Sequence, residues 1–143
     1  MFTLDQRLAN DTLTIGHFNL SRVLLTKDKR YPWCILVPQV AGIKEAYQLS
    51  ASQQDLLQQE SSLLGRAMMD LFNGDSLNVA ALGNVVSQLH VHHVVRYHDD
   101  ETWPGPIWGV GQALDYTEQE LAQRAHEITK KLLGAKGFKP VAS

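Results

Sequence analysis

The chain has 143 residues, of which 44% are hydrophobic, and a formal net charge of −2. That is enough apolar material for one domain with a real core, expected to span residues 1–143. There is no basic excess of the kind that marks partners of a nucleic-acid polymer, and no apolar run approaches the roughly 18 residues of a membrane span.

In chain order, residues 1–20 are mixed in character and predict a short helix or an irregular lead-in. The opening Met-Phe-Thr-Leu-Asp has no basic region followed by an apolar stretch, so no signal peptide is expected. Ser21–Thr26 reads as a strand, Lys27–Pro32 as a charged turn and Trp33–Val37 as a second strand, which together make a hairpin. Cys34, the single cysteine, rules out an internal disulfide framework and reads as a buried, inert thiol. A soluble, cytoplasmic protein in a reducing compartment is the expectation.

Ser50 and Gln53 have capping-box spacing, and Leu56, Leu57, Leu63, Leu64, Ala67, Met68, Leu71 and Phe72 recur at helical intervals up to Asn73-Gly74. Ser76–Leu82 predicts a third strand, Gly83-Asn84 a turn and Ser87–Tyr97 a fourth strand. Asp99-Asp100-Glu101 reads as a solvated turn. The segment Trp103-Pro-Gly-Pro-Ile-Trp108 predicts an ordered loop. Its two tryptophans are costly to expose; packing on the sheet or a partner subunit is preferred, with lining of a ligand pocket as the alternative. Thr117 and Glu120 form a second capping box ahead of a helix over about 117–133, and the tail from Lys136 to Ser143 is expected to fray. Strands joined by short connections, with helices between and after them, predict an α+β fold: an antiparallel sheet with packed helices.

The segment Gln88-Leu89-His90-Val91-His92-His93-Val94-Val95-Arg96 carries the chemistry. Side chains alternate along a strand, so Gln88, His90, His92, Val94 and Arg96 share one face while Leu89, Val91, His93 and Val95 share the other. Two imidazoles at i and i+2 lie about 7 Å apart at Cα, near enough for both to address one phosphate or one metal ion. Histidine is the side chain best placed to act as nucleophile, base or ligand near neutral pH. A zinc site would need a third and usually a fourth ligand, and the nearest candidates, His98, Asp99 and Asp100, lie past the strand's end. No metal site is therefore expected. His93, on the apolar face, reads as a hydrogen-bonded core or interface residue. Arg96 has two readings, a group that steers phosphate and a structural ion pair.

The stretch resembles the signature of the histidine triad (HIT) superfamily, His-φ-His-φ-His-φ-φ with φ apolar. The similarity extends to Tyr31-Pro-Trp-Cys-Ile-Leu-Val-Pro38, to Asn78 and to Gly83-Asn84, and covers residues 17–109. The resemblance implies attack by His90 on the α-phosphate of a nucleotide conjugate and a covalent nucleotidyl-histidine, with no cofactor required. It assigns His92 to the phosphate or the leaving group, and Gly83, Asn84 and Asn78 to phosphate contacts. It implies a substrate such as a dinucleoside polyphosphate or a nucleoside phosphoramidate, and a homodimer, for which the helix from Gln53 to Phe72 is an interface candidate.

Three positions depart from the family pattern. Gln88 stands where the first triad histidine would be, and an amide cannot carry a proton as imidazolium does. Val85 stands where a hydroxyl often follows the glycine turn. The acidic residue expected at the ribose hydroxyls corresponds to Asp28, with Lys27 as a phosphate contact instead. Gln88 and Val85 motivate an alternative function, a nucleotide-binding module with little or no catalysis. A metal-dependent enzyme of another family is a third reading.

Overall fold

The computed structural model describes residues 1–142. A short helix α1 (Gln6–Asp11) opens at Asp5, whose carboxylate caps it by accepting from the Arg7 amide, and runs directly into β1 (Thr12–His17). Of the two expectations for residues 1–20, a short helix or an irregular lead-in, the helix is present, and the strand is an addition. Its register against the next strand shifts between Thr14 and Gly16, and this irregularity breaks the alternation that would mark a strand in sequence. Strands β2 (Ser21–Thr26) and β3 (Trp33–Pro38) form the expected hairpin, paired from Ser21↔Pro38 to Leu25↔Cys34.

Helix α2 (Ala51–Phe72) starts on the Ser50/Gln53 capping box and ends at Asn73 in the left-handed conformation, φ 50°. It buries Leu57, Leu64, Ala67 and Met68 against the sheet. Glu60, 3% exposed, is held by the Leu20 and Ser21 amides at 2.8 and 2.9 Å, which ties the helix to the β1–β2 turn. Strand β4 (Ser76–Ala81) leads to β5 (Val91–Arg96). The latter is shorter than the Ser87–Tyr97 span expected. Residues before Val91 leave the ladder because the Leu89 amide bonds the Ile43 carbonyl and the Gln88 side chain bonds the N-terminal segment. Helix α3 (Glu118–Leu132) begins on the Thr117/Glu120 capping box.

The tail does not fray where expected: β6 (Lys139–Pro140) pairs with β1, and Phe138 packs edge-on against Phe18 at 5.5 Å. Gly16 makes this approach possible, since a Cβ there would lie 2.5 Å from the Lys139 carbonyl oxygen. The last residue of that expected tail, Ser143, lies outside the described residues.

The sheet runs β4-β5-β3-β2-β1-β6, and all its pairings are antiparallel, so the fold is α+β as expected. Helices α2 and α3 cover one face, where Val23, Leu25, Cys34, Leu36, Val91 and Val95 join Leu64, Met68, Ile128 and Leu132 in the main core. The opposite face carries Leu24, Ile35 and Val37, closed by Leu8, Phe2 and Leu4 of the N-terminal segment. Beside them, Tyr31 and Val94 pack under Ile107, with Trp33 and Trp108 at the margin. This second face holds His90 and His92. No helix among the described residues is long and apolar enough to cross a membrane.

Candidate active site

Strand β5 lies between β4 and β3, so both its neighbours fix its pleat. His92 pairs opposite Ile35 on one side and Ala80 on the other. His90 sits immediately before the strand. The two imidazoles meet edge to face with centroids 5.0 Å apart. Both line a cavity of about 520 Å³ whose walls include Leu8, Thr26, Lys27, Asp28, Trp33, Ile35, Val86 and Trp108. That size suits a small-molecule ligand.

The protonation pattern of each histidine follows from its partners. His90 Nδ1 lies 2.7 Å from the Gln88 carbonyl oxygen, which only accepts; Nδ1 therefore carries the proton and the lone pair is left on Nε2. His92 is arranged in the opposite sense. Trp33 Nε1, which only donates, gives its hydrogen to His92 Nδ1 at 3.0 Å, so the His92 proton sits on Nε2. Burial, then the neighbouring His90 and His93, push the His92 pKa down to about 4. At neutral pH it is an uncharged N–H donor. An acceptor and a donor thus stand side by side on one cavity wall.

Replacing Trp33 by Phe is expected to free His92 to exchange tautomers. Loss of one such bond, about 1 kcal/mol, corresponds to roughly a fivefold fall in any rate that depends on the Nε2 donor. Nitrogen-15 NMR should show one His92 tautomer in the native protein and a mixture in Trp33→Phe. A single tautomer in both would remove Trp33 from this role.

His93, on the helix-covered face, is fully buried. It donates from Nδ1 to the Val91 carbonyl at 3.0 Å and accepts the Ser61 hydroxyl at Nε2, 2.7 Å away, which agrees with the core reading. Cys34 is buried, and burial pushes its thiol up to about 12.

The other expected site residues separate into two groups. Lys27 and Asp28 line the cavity. Lys27 Nζ donates to the Asn10 carbonyl at 3.0 Å. Burial alone would raise Asp28, but hydrogen bonds from the Arg30 guanidinium and from the Arg30 and Leu114 amides hold it below the ordinary carboxylate range. Asn78, Gly83, Asn84, Gln88 and Arg96 are not among the cavity's lining residues. Gly83 and Asn84 sit in the exposed β4–β5 connection. Asn78 Oδ1 accepts from Arg96 Nη1 at 2.8 Å. Arg96, 1% exposed, pairs with Asp100 through Nε at 2.8 Å and Nη2 at 3.0 Å, and stacks near Tyr31 and Trp103. Of its two readings, the structure displays the ion pair. Asp100, expected in a solvated turn, is instead that pair's buried acid and also accepts from the Tyr97, Thr102 and Trp103 amides.

Several cavity residues were not singled out from sequence: Trp33, Leu8, Asn10, Asp11, Thr12, Ile35 and Val86. Trp108 takes the alternative anticipated for it and lines the cavity, 5.4 Å from the His92 ring. Its Nε1 and the Thr26 Oγ1 are buried with no hydrogen-bond partner among the described residues. Both atoms belong to residues that line the cavity, where a ligand or water would be within reach of them. Among the described residues, no group of three or more His, Cys, Asp or Glu side chains is placed to hold a metal ion.

Comparison with known proteins agrees with this architecture. The family model for the HIT domain matches residues 7–99. A histidine triad protein from Marinobacter aquaeolei VT8 is 51% identical, with a TM-score of 0.90 over 92% of this chain and 96% of its own. A histidine triad (HIT) protein from Sinorhizobium meliloti 1021 is 42% identical, with the same TM-score over 92% of this chain and 98% of its own. One from Bradyrhizobium japonicum is also 42% identical, with a TM-score of 0.88 over 91% and 97%. No curated protein matches the sequence. Matched across most of its length by these proteins and by the family model, the chain belongs to the HIT domain family.

Proposed function

We propose that the protein is a nucleotidyl hydrolase or transferase that works through a covalent nucleotidyl-histidine on His90. The observation that carries this reading is the opposed arrangement of the two histidines: Nδ1–H of His90 is bound to the Gln88 carbonyl, and Nδ1 of His92 is bound to Trp33. The first leaves a nucleophilic Nε2, and the second supplies a neutral Nε2–H donor beside it. The His90 lone pair forms a bond to the α-phosphorus while the bond to the leaving group breaks, and that group departs with the electron pair and takes a proton from solvent. The oxygen of water or of a second acceptor then bonds to the phosphorus and gives its proton to solvent, while the phosphorus–Nε2 bond breaks, which releases the nucleotide and returns the electron pair to His90. His92 Nε2–H donates to a phosphoryl oxygen, where negative charge builds. With its pKa near 4 it serves as a donor rather than as a store of protons. The orphaned Trp108 Nε1 and Thr26 Oγ1 offer further contacts to the conjugate, and the apolar wall of Leu8, Trp33 and Ile35 suits a base or another flat group. A nucleoside phosphoramidate or a dinucleoside polyphosphate is the proposed substrate class.

Intact-protein mass spectrometry after brief mixing with adenosine 5′-phosphoramidate and with diadenosine polyphosphates tests this. An adduct of nucleotidyl mass, or turnover, is expected. Tight binding with neither would move the assignment to a non-catalytic nucleotide-binding module.

We also propose a homodimer formed through the free edge of β4. That strand ends the sheet with Val79 48% exposed, and a groove beside it is bounded by Ser62, Arg66 and Met69 of α2. An uncovered sheet edge is a template for pairing with a second copy. Sedimentation equilibrium should give twice the chain mass for the native protein and the single mass for Val79→Lys; a native monomer overturns the proposal.

A further inference from the structure

The glutamine at the first triad position does something an imidazole there would not do. Gln88 Oε1 accepts from the Asp5 amide at 2.8 Å, and its Nε2 donates to the Thr3 carbonyl at 2.9 Å. One planar amide thus engages the carbonyl of one residue and the N–H of the residue two further on. A residue in a parallel ladder addresses its neighbour in this way. The two ring nitrogens of a histidine point apart around the ring and would not reach both groups.

The segment held in this way builds part of the site. Asp5 is the N-cap of α1. Six residues of helix are far too short to be stable alone and depend on what anchors them. From α1, Leu8, Asn10 and Asp11 reach the cavity wall, and Phe2 and Leu4 pack with Leu8 on the same face of the sheet. A second clamp runs in parallel: Arg7 Nη1 donates to the Val85 carbonyl at 3.2 Å. Val85 and Gln88 therefore hold the N-terminal segment at Thr3, Asp5 and Arg7, across the start of α1. His90 hangs from the same stretch, its Nδ1–H on the backbone of Gln88.

We infer that Gln88 is a positioning residue that clamps the N-terminal segment as a wall of the ligand cavity, so that it governs how tightly the conjugate is held rather than how fast the phosphoryl bond breaks. This rests on the reading of the cavity as a nucleotide site. It also predicts that histidine at position 88 is a loss, not a restoration.

Three variants separate the possibilities: Gln88→Ala, Gln88→His, and a deletion of residues 2–4 that removes the Thr3 carbonyl but leaves Gln88 intact. Hydrogen exchange at the Asp5 amide reports the clamp without any substrate. It is expected to quicken about fivefold or more in Gln88→Ala and Gln88→His, the factor that corresponds to loss of a bond worth about 1 kcal/mol. With adenosine 5′-phosphoramidate, all three variants are expected to raise KM about five- to thirtyfold, with kcat within about threefold of native and the pH profile in place. A rise in kcat in Gln88→His, a shifted pH profile, or a fall in kcat at constant KM would overturn the inference by placing the amide in the chemistry. Faster exchange with unchanged KM would overturn it too, since the clamp would then have no bearing on the ligand. If the native protein neither turns over the probe nor binds adenosine monophosphate by calorimetry, the nucleotide reading fails. Exchange at Asp5 would still decide whether the clamp exists.

Discussion

Substitution of His90 by alanine is expected to remove the nucleotidyl adduct completely and to lower turnover by on the order of 10⁴-fold or more, the scale seen when a covalent nucleophile is deleted. The fold should survive, because among the described residues the ring's only hydrogen bond is that of Nδ1 to the Gln88 carbonyl two residues away. His90→Asn is the stricter version, since its amide can reach toward the same carbonyl while lacking a nucleophilic nitrogen. Thermal denaturation close to native in both variants, together with retained binding of adenosine monophosphate, would locate the loss in the chemical step. Full activity in His90→Ala would remove the nucleophile assignment. His92→Ala should be milder, by about 10²-fold, because it removes a donor to the developing charge rather than the attacking atom.

Arg96→Met is expected to produce the largest loss of stability, about 3–5 kcal/mol, by stranding a buried carboxylate. The guanidinium is 1% exposed and joins Asp100, Asn78 and Thr102, with Tyr31 and Trp103 against its plane. The methionine fills similar volume, so the cost is electrostatic rather than a cavity. Urea denaturation should show a lower midpoint at an unchanged slope. Acid titration supplies a second signature. Hydrogen bonds from Arg96, opposed in part by burial, hold the Asp100 carboxyl at about 2, against an ordinary value of 3.8. A group lowered on folding stabilises the native state fully above its unfolded value, so this contribution is present above about pH 4 and is lost as pH falls from 3.8 through 2. In Arg96→Met that acid-labile increment should shrink to the part that the Tyr97 and Thr102 amides supply. A native-like midpoint in the variant would show that the network is dispensable.

Much of this was readable from local pattern. The two capping boxes place the starts of α2 and α3 because each uses contacts only three residues apart. The two-residue period puts His92 and Arg96 on one face and His93 on the other, as the pleat requires. What local pattern did not reveal depends on partners far along the chain. Strand β6 has two residues and exists only because β1 lies beside it. Asp100 looks like any acid in a polar turn until the strand end brings Arg96 to it. Gln88 reads as a defective triad member when seen alone, and its side-chain partners are residues 83 and 85 positions away. Trp33 looks like ordinary strand filling, yet its indole N–H decides the tautomer of a histidine 59 residues on.

The cavity is assembled from two kinds of material. The two cavity histidines sit on or beside an interior strand that hydrogen bonds on both flanks hold in place. The walls opposite come from the start of the chain and from the connection between β5 and α3, mostly outside the ladder. Changes in those walls leave the pleat that aligns the imidazoles untouched. On the proposed nucleotidyl-transfer reading, mutation in the lining segments therefore alters which leaving group or base is accepted while the two imidazoles keep their alignment. On that reading, substrate choice diversifies in the walls without rebuilding the histidine pair.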